Sequence, residues 1–268
     1  MNGISRFFLS ALYLVAAGAG WSGPAMAQAA CIDDPARAHE LRVLDEAQVI
    51  DLMDQYPVVA APAKLHRLMA SLVAASPRLR DGPSIHLLAY EDNELNAYGA
   101  DHGLVILTSA MWSAKENLSD DELAAVIAHE LAHIESHDSL VEACANLQRL
   151  AQPTLRIEDA REQMAREMFN PHSPLARAAR QELHAQEHAA DIRGIELLRK
   201  VGRNPVAMVS VLAKIHGTEA NGLNLLMGSS HPDVRERLAR AQAAADAPDL
   251  SRRAGTAPPT PLPIPRAR

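Results

Sequence analysis

Aromatic side chains are scarce in this chain: phenylalanine, tryptophan and tyrosine together make up 3% of its 268 residues. A core short of rings must be filled by aliphatic side chains and by the abundant alanine, which favours helices. Cysteine is nearly absent too. Cys31 and Cys144 permit one disulfide and no more. Basic residues do not predominate: 26 Lys and Arg stand against 33 Asp and Glu, a formal charge of -7, so no nucleic-acid partner is expected. Long apolar runs are missing after the first residues. Nothing beyond residue 27 approaches the ~20 residues of a membrane-crossing helix, and the mature chain is expected to be soluble.

What is there begins with a leader. Arg6 gives a small positive start, Phe7 to Ala17 is a short apolar run, and Ala25-Met26-Ala27 is a small-x-small cleavage site. Residues 1–27 are therefore expected to be a signal peptide, and the chain to be exported, most simply to a periplasm. An uncleaved anchor, a lipid on Cys31 or full secretion are the other routes such a leader permits. Residues 28–60 read as an N-terminal arm, mixed and acidic, with no clear period. A Cys31–Cys144 bond would tie that arm to the core in an oxidising compartment. Residues 61–246 hold the domain. Residues 247–268, rich in Pro, Ala and Arg, read as a disordered tail.

Within the domain, Ala63 to Ala75 has the apolar spacing of a helix. Ser84 to Tyr90 and Leu104 to Thr108 read as strands, the second strongly apolar and rich in β-branched residues. A long helix is predicted from Asp120 to about Leu150, where Pro153 stops it. Arg156 to Met168 is predicted to be helical and charged. Leu175 to Lys200, Pro205 to Ile215 and a stretch after Pro232 complete a mostly helical α+β pattern.

The chemistry sits on the long helix. Ser119 and Glu122 form a capping box, Leu118 and Leu123 a hydrophobic staple, and Asp120, Asp121 and Glu122 put negative charge at the positive end of the dipole. On that helix His129 and His133 are one turn apart and face the same way. Two imidazoles so placed can bind one Zn²⁺, and Glu130 can act as base on a water held there. A catalytic site of this kind takes three protein ligands. An extended motif with Gly at 136 and His at 139 is excluded, because Ser136 and Ser139 stand there. Glu187 is the best third ligand. Asp191, one turn on, is placed to orient a ligand histidine, and Ala189, Ala190 and Gly194 would let the two helices approach. His137, His184 and His188 read as surface or supporting residues.

In order and spacing, His129-Glu130-x-x-His133, then Glu187-x-x-Ala190-Asp191, then His231-Pro232 with Arg237, resemble the gluzincin metallopeptidases of the CAAX prenyl protease and HtpX-like type. Asn96-Ala97-Tyr98, Gly103 and the apolar strand before the zinc helix fit the same pattern. With its leader, the chain looks closest to periplasmic BepA- and LoiP-like members. Where related sequences often carry a histidine at position 138, this chain has His137 and Asp138. The resemblance implies a zincin-like, predominantly helical fold with a small sheet edge beside the zinc helix. It implies one Zn²⁺ held by His129, His133 and Glu187, with Glu130 as general base. It gives His231 two alternative roles, a fourth ligand that silences the enzyme or a group that stabilises the oxyanion. Arg237 would pair with a carboxylate near the site.

The function expected is zinc-dependent endopeptidase action on unfolded or misassembled envelope proteins, with a metal-stabilised chaperone as the rival. Leu104, Val105, Ile106, Leu107 and Thr108, taken as an exposed sheet edge, would bind substrate polypeptide by strand addition. Association with the envelope or outer membrane would follow from such substrates.

Overall fold

The helix that carries both motif histidines, Asp120–Ser136, lies at the centre of the domain. The computed structural model describes residues 35–149, 166, 167, 170, 172–218 and 234–248. In chain order the elements are α1 (Pro35–Gln55), α2 (Ala63–Ala75), α3 (Pro77–Asp81), β1 (His86–Tyr90), β2 (Ala97–Ala100), β3 (Leu104–Thr108), α4 (Asp120–Ser136), α5 (Asp138–Arg149), α6 (Pro174–Lys200), α7 (Ala207–Thr218) and α8 (Val234–Asp246). A 3₁₀ turn, Ser109–Trp112, joins β3 to the approach of α4. No helix among the described residues is long and apolar enough to cross a membrane. Fold class is as the sequence implies, mostly helical with one small sheet.

The start of α4 is fixed by its own residues. Ser119 Oγ accepts from the Glu122 amide and Glu122 accepts from the Ser119 amide, so the capping box is complete. Leu118 and Leu123 are both buried in the main core. The three acidic residues also tie neighbouring segments to α4. Lys64 of α2 meets Asp120 at 2.9 Å, and Arg203 meets Asp121 at 2.6 Å. Ser210 and Lys214 of α7 reach Glu122 at 2.6 and 2.9 Å. The first pair is exposed and contributes little. Glu122 is buried, which by itself would raise its pKa. Hydrogen bonds from Ser210, Lys214 and Ser119 overcome that and bring it down to about 2. A depressed carboxylate stabilises the fold above its unfolded pKa and loses that contribution as pH falls. The destabilisation caused by Glu122→Gln is therefore expected in full above pH 4.5 and to shrink steadily towards pH 2, read as urea midpoints across that range. A deficit that stays constant with pH would show that the charge is not what matters.

The sheet has strand order β1-β3-β2. β1 runs parallel to β3 with Leu87 opposite Val105, and β2 runs antiparallel to it with Gly99 opposite Val105. One sheet face, with Leu87, Ala97, Val105 and Leu107, joins the core around α4. The other, with Tyr90, Ala100 and Ile106, is covered by Val49 and Leu52 of α1.

Three expectations change here. Leu104, Val105, Ile106, Leu107 and Thr108 are not a sheet edge: β3 is the central strand, hydrogen-bonded on both sides, and its last four residues are buried. A strongly apolar run is what a strand covered on both faces needs, so the feature that suggested a substrate edge marks the interior. Second, residues 35–55 are not irregular but a helix. Its inner face includes the buried Asp45, while Val43, Ile50 and Met53 are exposed, and this mixture hides the period. Asp45 accepts from Tyr98 Oη at 3.0 Å and contacts His102 Nδ1 at 2.7 Å, which fixes α1 to the β2–β3 hairpin. Third, the long helix does not run unbroken to residue 150. It ends at Ser136, with His137 in the left-handed region at φ 56°, and α5 starts afresh at Asp138.

Candidate metal centre

α4 and α6 cross with almost nothing between them at Gly194. A Cβ added there would lie 3.3 Å from the His129 amide nitrogen and 2.6 Å from the Met208 methyl group. Ala190 is buried in the same interface, whereas Ala189 faces solvent and plays no part in the approach. This closeness sets Glu187 opposite the two histidines. His129 Nε2 and His133 Nε2 are 3.0 Å apart. Glu187 Oε2 is 3.7 Å from the first and Oε1 is 3.5 Å from the second. Tetrahedral ligands about 2.0–2.1 Å from a zinc ion stand roughly 3.3 Å from one another. The observed separations bracket that spacing, so the donor set fits such an ion.

The far side of each ring is also engaged. Asp138 Oδ2 is 2.7 Å from His133 Nδ1, which places the proton on Nδ1 and leaves Nε2 as the donor to a metal. Asp191 Oδ1 is 2.9 Å from His129 Nδ1, in ion-pair range but out of line for a hydrogen bond. Arg237 of α8 grips both acids of α6. Its Nε and Nη2 bond Asp191 at 2.7 and 2.9 Å, and its Nη1 meets Glu187 Oε2 at 2.6 Å.

Electrostatics favour a cation. Burial opposes ionisation of Glu187, yet Arg237 and the two histidines hold its pKa well below the usual carboxylate range. Burial also opposes charging of His133, and Asp138 and Glu187 more than offset it, so this ring is a strong base. Glu130 differs. It is buried, and desolvation pushes its pKa up despite the neighbouring His129 and His133. When ionised, Glu130, Asp138, Glu187 and Asp191 gather four carboxylates around the two rings, and Arg237 meets two of them, Glu187 and Asp191. A divalent cation beside them would be favoured by that concentration of negative charge.

Among the described residues His129, His133 and Glu187 form the one cluster that could hold a metal ion. His137 contacts Asp101 instead, at 3.1 Å. His184 and His188 lie on α6, partly buried and outside the donor cluster. His231 and Cys31 lie outside the described residues. Cys144 is buried and disulfide-bonded. Asp138 is the functional residue that sequence reasoning missed. On an uninterrupted helix, five residues past His133 would place it about 140° around the axis. Only the break at His137 turns it back to the ring.

β2, likewise not predicted as a strand, lies against α4. A Cβ on Gly99 would come within 2.6 Å of the Glu130 carbonyl oxygen. Segment 57–59 bonds along the outer edge of β1, through Val59 N–H to Ala89 O and Glu91 N–H to Pro57 O. That leaves β2 as the open sheet edge among the described residues.

The comparisons agree with this geometry. The chain is 28% identical over 110 residues to a protein named Protease HtpX homolog from Helicobacter pylori strain Shi470, covering 40% of this chain and 32% of that protein. The homolog from strain J99 matches to the same extent. The aligned part is thus about a third of the length of these curated relatives. The family model described as Peptidase family M48 matches residues 60–245, which takes in every donor and supporting residue named above. This chain belongs to peptidase family M48, a family of zinc-dependent metallopeptidases.

Proposed function

We propose that the chain is a zinc-dependent endopeptidase of the cell envelope, BepA- or LoiP-like, that hydrolyses peptide bonds in unfolded or misassembled proteins. The observation that carries this reading is that β2, the open edge strand among the described residues, packs at Gly99 against the Glu130 backbone of the helix that holds both histidines. In an antiparallel ladder, alternate residues turn their N–H and C=O groups away from the partner strand. Thr108 N–H bonds Asn96 O, so Ala97 and Gly99 direct theirs to the free side. An extended polypeptide could pair there through its backbone, with little regard to side chains, as suits substrates that have lost their fold.

His129, His133 and Glu187 would hold one Zn²⁺. When bound, that ion polarises the scissile carbonyl and lowers the pKa of its water towards about 7. Glu130, its basicity raised by burial, accepts the proton from the attacking water and delivers it to the leaving amine. Arg237 keeps Glu187 ionised and in place. Asp138 keeps the His133 ring turned to the ion, and Asp191 lies within ion-pair range of His129 Nδ1. An oxidising compartment is supported by the disulfide at Cys144 and by the leader-like first residues.

Digestion of casein by purified full-length protein tests the reading. A chelator should abolish it, and stoichiometric zinc should restore it. A protein that binds zinc and leaves casein and unfolded envelope proteins intact would instead be the metal-stabilised chaperone.

A further inference from the structure

The turn that brings Asp138 to His133 is held from outside the metal site. α5 begins immediately after His137, and its first turn offers amides with no intrahelical acceptor. The residue at the cap position ordinarily supplies a side-chain oxygen for them. His137 occupies that position here, as Val141 N–H bonds its carbonyl, and an imidazole has no such oxygen. Asp101 supplies it in trans. Its Oδ2 accepts from the Leu140 amide at 2.8 Å, and its Oδ1 contacts His137 Nδ1 at 3.1 Å. Asp101 is 3% exposed, so the carboxylate does not owe its place to solvent. It follows β2 directly, at the turn into β3.

We propose that Asp101 is a positioning residue for the metal centre: it caps α5 from the β2–β3 turn and so holds Asp138 against His133. The inference rests on the reading of His129, His133 and Glu187 as a zinc site. Its physical content is mechanical. Asp138 is the first residue of α5, and a frayed first turn carries it away from the ring. His133 then loses the partner that fixes its tautomer and orientation. Loss of such a support costs roughly 10- to 100-fold in metal affinity. The same carboxylate bonds the end of the strand proposed to receive substrate to the helix that orients a ligand.

The experiment is a zinc-affinity cycle on the full chain, measured by competition with a chromophoric chelator. Asp101→Ala and Asp138→Asn should each weaken zinc binding about tenfold. The double variant should lose no more than about tenfold, because both changes break one linkage. In metal-free protein, the Leu140 amide should exchange faster in Asp101→Ala than in wild type. Should Asp101→Ala fail to fold, Asp101→Asn decides. It keeps an oxygen for Leu140 but loses the charge facing His137, and should weaken zinc by about threefold, between wild type and Asp138→Asn. Unchanged zinc affinity in the folded Asp101 variants, or an additive loss near a hundredfold in the double variant, would overturn the proposal while leaving the metal centre standing. Failure of wild type to bind zinc at all would overturn both.

Discussion

Glu130→Gln is expected to bind zinc as wild type does and to digest casein at least about a thousandfold more slowly. A positioned general base contributes roughly 10²- to 10⁴-fold to a rate, and this one also returns the proton to the leaving group. The substitution is nearly isosteric. That matters because Glu130 is buried, 8% exposed, with β2 packed against its backbone. Glutamine fills the same space without the negative charge, and none of the three donor atoms is altered. The prediction separates two things that a chelator removes together, the ion and the chemistry done beside it. Zinc stoichiometry and kcat/KM should be measured on the same preparation. Wild-type turnover in Glu130→Gln would end the proposed mechanism. Loss of zinc along with activity would show that Glu130 supports the site rather than acting as its base.

Removal of Arg237 should be the most damaging single change to stability in the metal-free protein. Its guanidinium is 4% exposed and neutralises two buried carboxylates at once. Arg237→Met keeps much of the side-chain volume and leaves Glu187 and Asp191 without that cation. Breaking a buried pair from one side costs about 3–5 kcal/mol. Here one partner serves two acids on α6, so the upper part of that range is expected. The measurement is urea unfolding of wild type and Arg237→Met in the presence of a chelator. A loss below about 1 kcal/mol would show that other groups balance these acids, and that Arg237 is not what keeps Glu187 ionised.

Much of this is visible in the letters. The capping box at Ser119 and Glu122, the staple at Leu118 and Leu123, and the one-turn spacing of His129 and His133 are local facts, satisfied within a few residues of chain. The structure places each of them as that spacing requires. Helices Ala63–Ala75 and Pro174–Lys200 likewise carry their own periodicity, and strand Leu104–Thr108 its own apolar run. Glu187 and Asp191 were readable as a pair because a helix fixes their relation, and Gly194 because a close helix crossing needs a residue without a side chain. The elements that went unread are those whose reason lies elsewhere in the chain. β2 has four residues and no apolar run, and is a strand because β3 pairs with it. α1 hides its period behind the buried Asp45, whose partners are some fifty residues away in Tyr98 and His102.

The sequence by itself determined the helix that carries His129, Glu130 and His133 and the one-turn relation of Glu187 to Asp191, since short-range hydrogen bonding and helical spacing decide those. Only the tertiary structure decided which strand forms the free edge of the sheet among the described residues and which is buried between its neighbours, because strand order is set by pairing over distance. It also decided that the long helix breaks at His137, where a carboxylate from the β2–β3 turn satisfies the amides of a new helix. No local signal marks that break, and without it Asp138 would point away from the ring it orients.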